Sequence, residues 1–203
     1  MKTKPEVFII ESVRFTDERA NFCEGRILLD ILALSGKKCA YYYIRTKKEL
    51  GSVLTRFTRS SYRYLHISCH ANKVTMATTL DRLSIADFAE ILHPHLKDRR
   101  LFLSACSLAN DRLASLVMPG SGCYSLLGPA QTVRFNDAAI LWASLYHIMF
   151  AADEKTMTGH VLRQKAREVA NLYRVPLTYF GRDRSKSKQY IEVSITPKKP
   201  THI

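Results

Sequence analysis

The 203-residue sequence lacks an uninterrupted apolar run of about eighteen residues, the length a bilayer-spanning helix needs, so no membrane association is expected. Its N-terminal stretch offers only four apolar residues, Val7 to Ile10, before Glu11, too short for the core of a signal peptide. The expectation is a protein that stays where it is made, in the cytoplasm. Glycine (8) and proline (7) are scarce, and at 46% hydrophobic and 10% aromatic content the chain is neither disordered nor fibrous. Acidic residues are the minority, 18 against 31 Lys and Arg, which leaves a formal charge of +13. The five cysteines, Cys23, Cys39, Cys69, Cys106 and Cys123, are odd in number and show no C-x-x-C spacing, which fits reduced intracellular thiols rather than a disulfide scaffold. A chain of this size buries roughly 70% of its unfolded surface without metal or disulfide staples, so residues 1–203 are read as one domain with no cofactor.

The positive charge invites a nucleic-acid partner, because clustered cations release counterions from phosphates. Here the basic residues are spread in pairs such as Lys37-Lys38 and Arg99-Arg100. The one dense stretch, Arg182 to Lys188, reads either as a solvated loop or as a surface for an acidic partner or nucleic acid. Residues 182–203 are expected to form a basic C-terminal segment, an edge strand followed by a flexible tail. No phosphate-cradling glycine-rich loop accompanies the charge.

Short apolar runs alternate with amphipathic stretches, the pattern of parallel strands separated by covering helices. Five runs read as buried strands: Val7–Ile10, Cys39–Ile44, Tyr62–Cys69, Leu101–Ala105 and Tyr124–Leu127. Tyr41, Tyr42 and Tyr43, at strand spacing, read as core before they read as a binding platform. Helical spacing runs from Phe22 to Leu34 with Gly36 at the C-cap, from about Lys47 to Phe57, from Ser84 into a stripe that Pro94 ends, over Leu113–Val117, from Asn136 to Phe150, and from Thr158 to Tyr173. Asn136 is expected to cap its helix, with Ile140, Leu141, Leu145, Ile148 and Met149 toward the core. Residues 72–81 suggest a small hairpin, and Leu177–Phe180 and Tyr190–Ile195 are further short strands. The predicted fold class is an α/β sandwich of three layers, α/β/α, around a mostly parallel central sheet of about six strands.

Two buried strands end in reactive residues, the third in Ser68-Cys69-His70 and the fourth in Ser104-Ala105-Cys106. In an open parallel sheet, ligands and catalytic groups gather outside the carboxyl ends of the strands, and right-handed crossovers return each strand to the same edge. His70 and Cys106 are therefore expected to be neighbours. A thiol beside an imidazole is a minimal nucleophilic apparatus, since the thiolate attacks and the histidine takes or returns the proton. The other four cysteines read as packing, His66 reads as a core or supporting histidine, and Cys69 should face away from His70. A zinc site from His66, Cys69, His70 and Cys106 is disfavoured because residues 69 and 70 point to opposite faces.

Four blocks then resemble a known family: Tyr64-Leu-His-Ile-Ser-Cys-His-Ala71, Leu101-Phe-Leu-Ser-Ala-Cys-Ser107, Gly122-Cys-Tyr-Ser-Leu-Leu-Gly-Pro129, and the stretch from Asn136-Asp137 to Phe150. Their order over residues 5–150 is similar to that of CHAT domains, which are caspase-like cysteine peptidases of clan CD. The resemblance implies a Cys-His dyad with Cys106 as nucleophile and His70 assisting proton transfer. It further implies an oxyanion held by the backbone N–H groups of Ala71 and Cys106. The chain departs from the family in carrying Ala71 where glycine is usual, and in placing Ser104 two residues before the cysteine, where some family members selective for Arg or Lys place an acid. Ser104, Asp137 and Asp153 are the candidates for the primary pocket. Without room for a sensor module, such a domain would act as a small effector peptidase on a protein substrate, switched on in trans by a sensor partner, and the family suggests an antiviral defence or cell-death setting. The alternatives are an inactive caspase-like module that binds a partner and, last, a nucleic-acid-binding domain.

Overall fold

The computed structural model describes residues 3–198. In chain order the elements are β1 (Lys4–Ser12), α1 (Phe15–Arg19), α2 (Glu24–Leu34), β2 (Cys39–Tyr43), α3 (Lys47–Ser60), β3 (Tyr62–Ala71), β4 (Thr75–Ala77), β5 (Arg82–Ser84), α4 (Ile85–Leu92), β6 (Arg100–Ser104), α5 (Asp111–Val117), β7 (Ser125–Pro129), α6 (Phe135–Ala152), α7 (Gly159–Tyr173), β8 (Leu177–Arg182) and β9 (Tyr190–Ile195). The sheet runs in the order β2-β1-β3-β6-β7-β8-β9. The first five strands of that order pair in parallel, and β8 and β9 add antiparallel strands at one side. The β4–β5 hairpin pairs with the end of β3. The described strands thus exceed the expected six, because the hairpin and both tail segments join the five buried runs by hydrogen bonding. Within the basic C-terminal segment, β9 is the edge strand, and residues 199–203 lie outside the described residues.

Strand alternation divides the interior into two cores, one per sheet face. Phe8, Ile10, Leu65, Ile67, Leu101 and Leu103 pack with α3, α4 and α5 through residues such as Leu54, Phe57, Phe88 and Leu113. Val7, Ile9, Tyr64, Phe102 and Leu127 pack on the other face with α2, α6 and α7 through Leu28, Trp142, Tyr146 and Leu162. The three-layer sandwich follows from these two faces. Helix starts are sealed as their sequences suggest: Thr46 and Glu49 form a capping box, and the side chains of Ser84, Asn110 and Thr158 each accept a backbone N–H. Gly36, at φ +72°, closes α2 in the left-handed conformation expected of it.

Helix α6 departs from expectation in two details. Its N-cap is Arg134, and Asn136 lies inside the first turn, where its amide donates to Asp137. The buried stripe is Ala138, Leu141, Trp142, Leu145, Tyr146 and Met149, while Ile140 is half exposed. Apolar residues surround this helix almost completely, so spacing alone allowed a stripe rotated by one position. The aromatic rings settle the orientation: Trp142 and Tyr146 both meet Phe102 on the sheet.

The α2/α6 face also carries a buried carboxylate at the end of β1. Glu11 is fully buried, and its two oxygens accept hydrogen bonds from the Gly25 N–H (2.7 Å) and the Tyr41 hydroxyl (2.8 Å). It therefore satisfies one of the free N–H groups at the start of α2. Gly25 permits the approach, because a Cβ there would sit 3.1 Å from the Glu11 carboxyl carbon. Burial, opposed by those hydrogen bonds, raises the Glu11 pKa from 4.5 to about 7.

Between these values the unfolded chain is ionised at Glu11 while the folded chain keeps its proton, so this group's contribution to stability falls as pH rises from about 4.5 and levels off above about 7. Glu11→Gln keeps one acceptor oxygen and removes the titration, and the loss of the second acceptor is the same at both pH values. Urea denaturation at pH 5 and pH 8 is expected to show Glu11→Gln gaining on the wild type by up to about 3 kcal/mol between the two, and an unchanged difference would show that burial does not hold the proton.

Candidate active site

Residues Ser68 of β3 and Ser104 of β6 are register partners at the carboxyl ends of their strands, and His70 and Cys106 each follow two residues later. Both reactive side chains line one cavity with Glu24, Cys69, Ala105, Phe135 and neighbouring residues. Its volume is about 60 Å³. The expected meeting of the two strand ends is thus what the topology produces.

His70 is about a quarter exposed, and its Nε2 lies 2.7 Å from an Asp17 carboxylate oxygen. A carboxylate only accepts, so Nε2 carries the hydrogen and the Nδ1 lone pair is left for proton transfer. The ring also packs edge-on against Phe135, with centroids 5.4 Å apart at 86°. Asp17 arrives on the short helix α1, which is moored by the Glu18–Arg45 ion pair at 2.5 Å.

Cys106 is half-buried on the turn after β6. The next residue, Ser107, has φ +54°, a left-handed conformation uncommon for a non-glycine residue and costly to hold. Asn110 keeps this turn against the histidine strand: its amide donates to the Ser107 carbonyl (2.9 Å) and to the Lys73 carbonyl beyond β3 (3.1 Å). Gly128 of β7 lets the turn close, since a Cβ there would lie 2.8 Å from both the Ala109 Cβ and the Leu103 carbonyl oxygen. The thiols of Cys39, Cys69 and Cys123 are each pushed up to about 12 by burial, as expected of packing cysteines. Cys69 lies in the core of the face opposite His70, with part of the residue in the cavity wall.

Ala71 ends β3 without a positive φ, so the glycine usual at this position is not needed here. The Asn72 N–H donates to the Thr75 carbonyl at 2.9 Å, which makes 72 and 75 a hydrogen-bonded pair. Alternation along the antiparallel ladder then leaves Ala71, opposite Met76, with its N–H pointing away from β4. The hairpin lies on the β1 side, where the Thr79 N–H donates to Ser12 Oγ (3.0 Å), so the Ala71 N–H faces the Cys106 side.

Beneath the two reactive residues lies a carboxylate unnoticed in the sequence. Glu24, the first residue of α2, is 3% exposed. One of its oxygens accepts from Ser104 Oγ (2.5 Å) and Ser68 Oγ (3.2 Å). The other, Oε1, lies 3.5 Å from His66 Nε2 without hydrogen-bond geometry, and neither atom has another partner. His66 is fully buried, edge-on to Trp142, with its Nδ1 3.4 Å from the Tyr146 hydroxyl.

Of the expected pocket residues, Ser104 is in the cavity wall through its bond to Glu24. Asp137 is turned to Arg134, with a 2.8 Å contact, and does not line the cavity. Asp153 caps the far end of α6, about 27 Å away along that helix, where it accepts the Thr156 and Met157 N–H groups. The acids found there are Glu24, in the cavity wall, and Asp17, which reaches it only through His70. Glu24 had a sequence signal, because it continues the buried stripe of Leu28 and Leu32 at i, i+4 and i+8. Asp17 had none. Among the described residues, no group of three or more His, Cys, Asp or Glu side chains gathers as a metal ion would need, and no helix is long and apolar enough to cross a membrane.

No protein-family model matches the chain, and no curated protein sequence is detectably similar to it. Solved structures do resemble its fold. Gingipain R, an Arg-specific cysteine proteinase, matches 85% of this chain at 9% identity and TM-score 0.53, and this chain spans only 43% of it. A secreted C11 cysteine protease from Bacteroides thetaiotaomicron matches 89% at 11% identity and TM-score 0.53, over 67% of its own length. Caspase-1 from Spodoptera frugiperda matches 100% at 11% identity and TM-score 0.56, over 94% of its own length. The chain has a caspase-like fold, shared with cysteine proteases of several kinds.

Proposed function

We propose that the protein is a caspase-like cysteine endopeptidase whose nucleophile is Cys106. The observation that carries this reading is the convergence of Cys106 and His70 on one cavity at the carboxyl edge of the parallel strands. His70 accepts the thiol proton at Nδ1, and the thiolate attacks the substrate carbonyl to give a tetrahedral oxyanion. The backbone N–H groups of Ala71 and Cys106 receive that oxyanion. Collapse releases the amine, which takes the proton from His70, and leaves a thioester on Cys106. Water, deprotonated by His70, then frees the acid and restores the thiol. Asp17 positions the imidazole throughout and touches no reacting atom.

A CHAT-type role as a small effector, switched on in trans by a sensor protein in a prokaryotic defence or cell-death system, belongs to the same proposal. The wall of the cavity supports it, because the Val133 carbonyl lies 3.9 Å from Cys106 Sγ and the Phe135 ring packs edge-on against His70, so both crowd the reactive pair. Rearrangement of the loops around Val133 and Phe135 is what a partner would have to supply.

Peptide acyloxymethyl ketones with varied first-position residues, read by mass spectrometry with and without cell extract, test the reading. Labelling at Cys106 is expected in the wild type and lost in Cys106→Ala and His70→Ala. A Cys106 that stays unlabelled under every condition would place the protein among inactive binding modules. Asp17→Asn is expected to lower the maximal labelling rate about a hundredfold while leaving the half-saturating probe concentration and the melting midpoint unchanged. A loss in half-saturation or stability instead would assign Asp17 a purely structural part.

A further inference from the structure

We propose that the cleft at the amino ends of β3, β6 and β7 is a second binding site, and that it takes a phosphate monoester of nucleotide size. The cleft has a volume of about 760 Å³, and Arg63, Asp98, Arg100, Tyr124, Lys155 and Thr158 are in its wall. It lies at the edge of the sheet opposite Cys106, about 23 Å from His70 along β3, so the proposal is independent of the chemistry there. Arg100 carries the argument. It is only 6% exposed, and arginine is almost never buried to that degree unless paired with a negative charge. Its terminal nitrogens donate to Ser125 Oγ (2.8 Å) and to the Met157 carbonyl (2.5 Å), and its Nε has no partner. Those acceptors are neutral, and so is the Tyr124 ring beside it. Among the described residues, no ion pair includes Arg63, Arg100, Lys155 or Arg182. Arg99, equally buried, does not line the cleft: its guanidinium is engaged by the Tyr62 and Thr58 carbonyls and lies over the Phe57 ring.

The groups around Arg100 are held in place by the loop between α6 and α7. Arg63 donates to the carbonyls of Thr3 (3.0 Å), Lys155 (2.5 Å) and Thr156 (3.3 Å), so the successive carbonyls from Lys155 to Met157 all turn to two guanidinium groups. Asp153 accepts the Thr156 and Met157 N–H groups, and Met157 sits at φ +47°, a left-handed conformation that these contacts have to hold. Both guanidinium groups are thereby fixed before a ligand arrives, which lowers the cost of binding one. Arg63, Arg100 and Lys155 against Asp98 leave the lining a formal charge of +2. That complements a phosphate monoester, which carries close to two negative charges at pH 7, whereas a carboxylate would leave one positive charge unmet. Planar guanidinium groups also match the spacing of phosphate oxygens. The Thr158 hydroxyl, free to donate while its oxygen caps α7, stands at the positive end of that 15-residue helix. Arg182 lies over the Tyr124 ring at 4.5 Å and adds to the positive field. A lone phosphate occupies only part of about 760 Å³, a volume typical of small-molecule sites, so room remains for the organic group of an ester.

Calorimetric titration of the full chain at physiological ionic strength tests the site, with AMP, inorganic phosphate, adenosine, acetate and an unphosphorylated thymidine oligonucleotide as probes. AMP is expected to bind at least about tenfold tighter than inorganic phosphate and at least about a hundredfold tighter than adenosine or acetate. Lys155→Glu, an exposed substitution, is expected to weaken AMP binding at least about tenfold, and Arg100→Met about a hundredfold. Asp98→Asn, which removes the one acid of the lining, is expected to tighten it up to about fivefold. Residue 98 sits at φ +59°, which asparagine tolerates, and a gain in affinity does not arise from misfolding, so this variant keeps the test open if Arg100→Met does not fold. Adenosine or acetate binding as tightly as AMP, or no binding of AMP, overturns the proposal. So does an affinity that neither Lys155→Glu nor Asp98→Asn changes, since AMP would then sit elsewhere on the chain. Inorganic phosphate as tight as AMP would make the cleft a site for the free ion, and an oligonucleotide tighter than AMP would make it a nucleic-acid surface. Either result overturns the assignment to a monoester.

Discussion

The site depends on one buried carboxylate that joins three elements. Glu24 brings the first turn of α2 onto Ser68 of β3 and Ser104 of β6, the two residues that face each other across the sheet. Each serine stands two residues before the reactive residue of its own strand, so side chains at both levels point to the α2/α6 face. Fixing the serines fixes the separation and height at which His70 and Cys106 leave the sheet. Removing one partner of such a buried charged network costs about 3 to 5 kcal/mol, a large fraction of a domain's stability. The carboxylate is held by the strands, and the strands by the carboxylate.

Around that knot, each reactive group is held by a different kind of constraint. His70 is oriented by a charge-assisted contact to Asp17 and by the edge of its ring against Phe135. Cys106 is held by backbone geometry: the left-handed Ser107, the Asn110 amide bridging two carbonyls, and the Cβ-free surface of Gly128. The first arrangement tolerates small shifts, since a ring can swing with its partner. The second does not, because a Cβ at Gly128 would meet backbone. Precision therefore resides at Cys106, and adjustability at His70. The loop that would have to open for a peptide, around Val133 and Phe135, touches both.

Much of this was legible in the amino-acid order. Strand periods, helix caps and the ends of two buried runs were enough to place His70 and Cys106 together, because parallel crossovers allow few alternatives. Residues that act across elements were harder to see. Glu11 continues the inward alternation of Val7 and Ile9, and Glu24 the inward stripe of Leu28 and Leu32, yet in a local reading the first is an ordinary acid closing a strand and the second an ordinary acid near a helix start. Their burial has meaning only once the partners are known: Gly25, Tyr41, Ser68 and Ser104 for the two together. Asp17 lies in a connecting segment with no periodicity to read. Asp137 drew notice as an available acid but is satisfied by Arg134 three residues earlier, a local pairing that a surface helix end commonly makes.

Charge is arranged with opposite signs at two length scales. The whole chain carries a formal +13, while Asp17 and Glu24, which meet His70 and the two serines, come from one short segment, with Glu11 before them holding its proton up to about pH 7. At physiological ionic strength exposed charges are screened beyond about 8 Å, whereas groups withdrawn from water feel one another more strongly. The outer field therefore acts on encounter with large acidic surfaces, and the inner acids act on the groups they touch. The +13 surface and the buried acids accordingly act on different things, the first on large approaching molecules and the second on the strands, the helix start and the imidazole they touch.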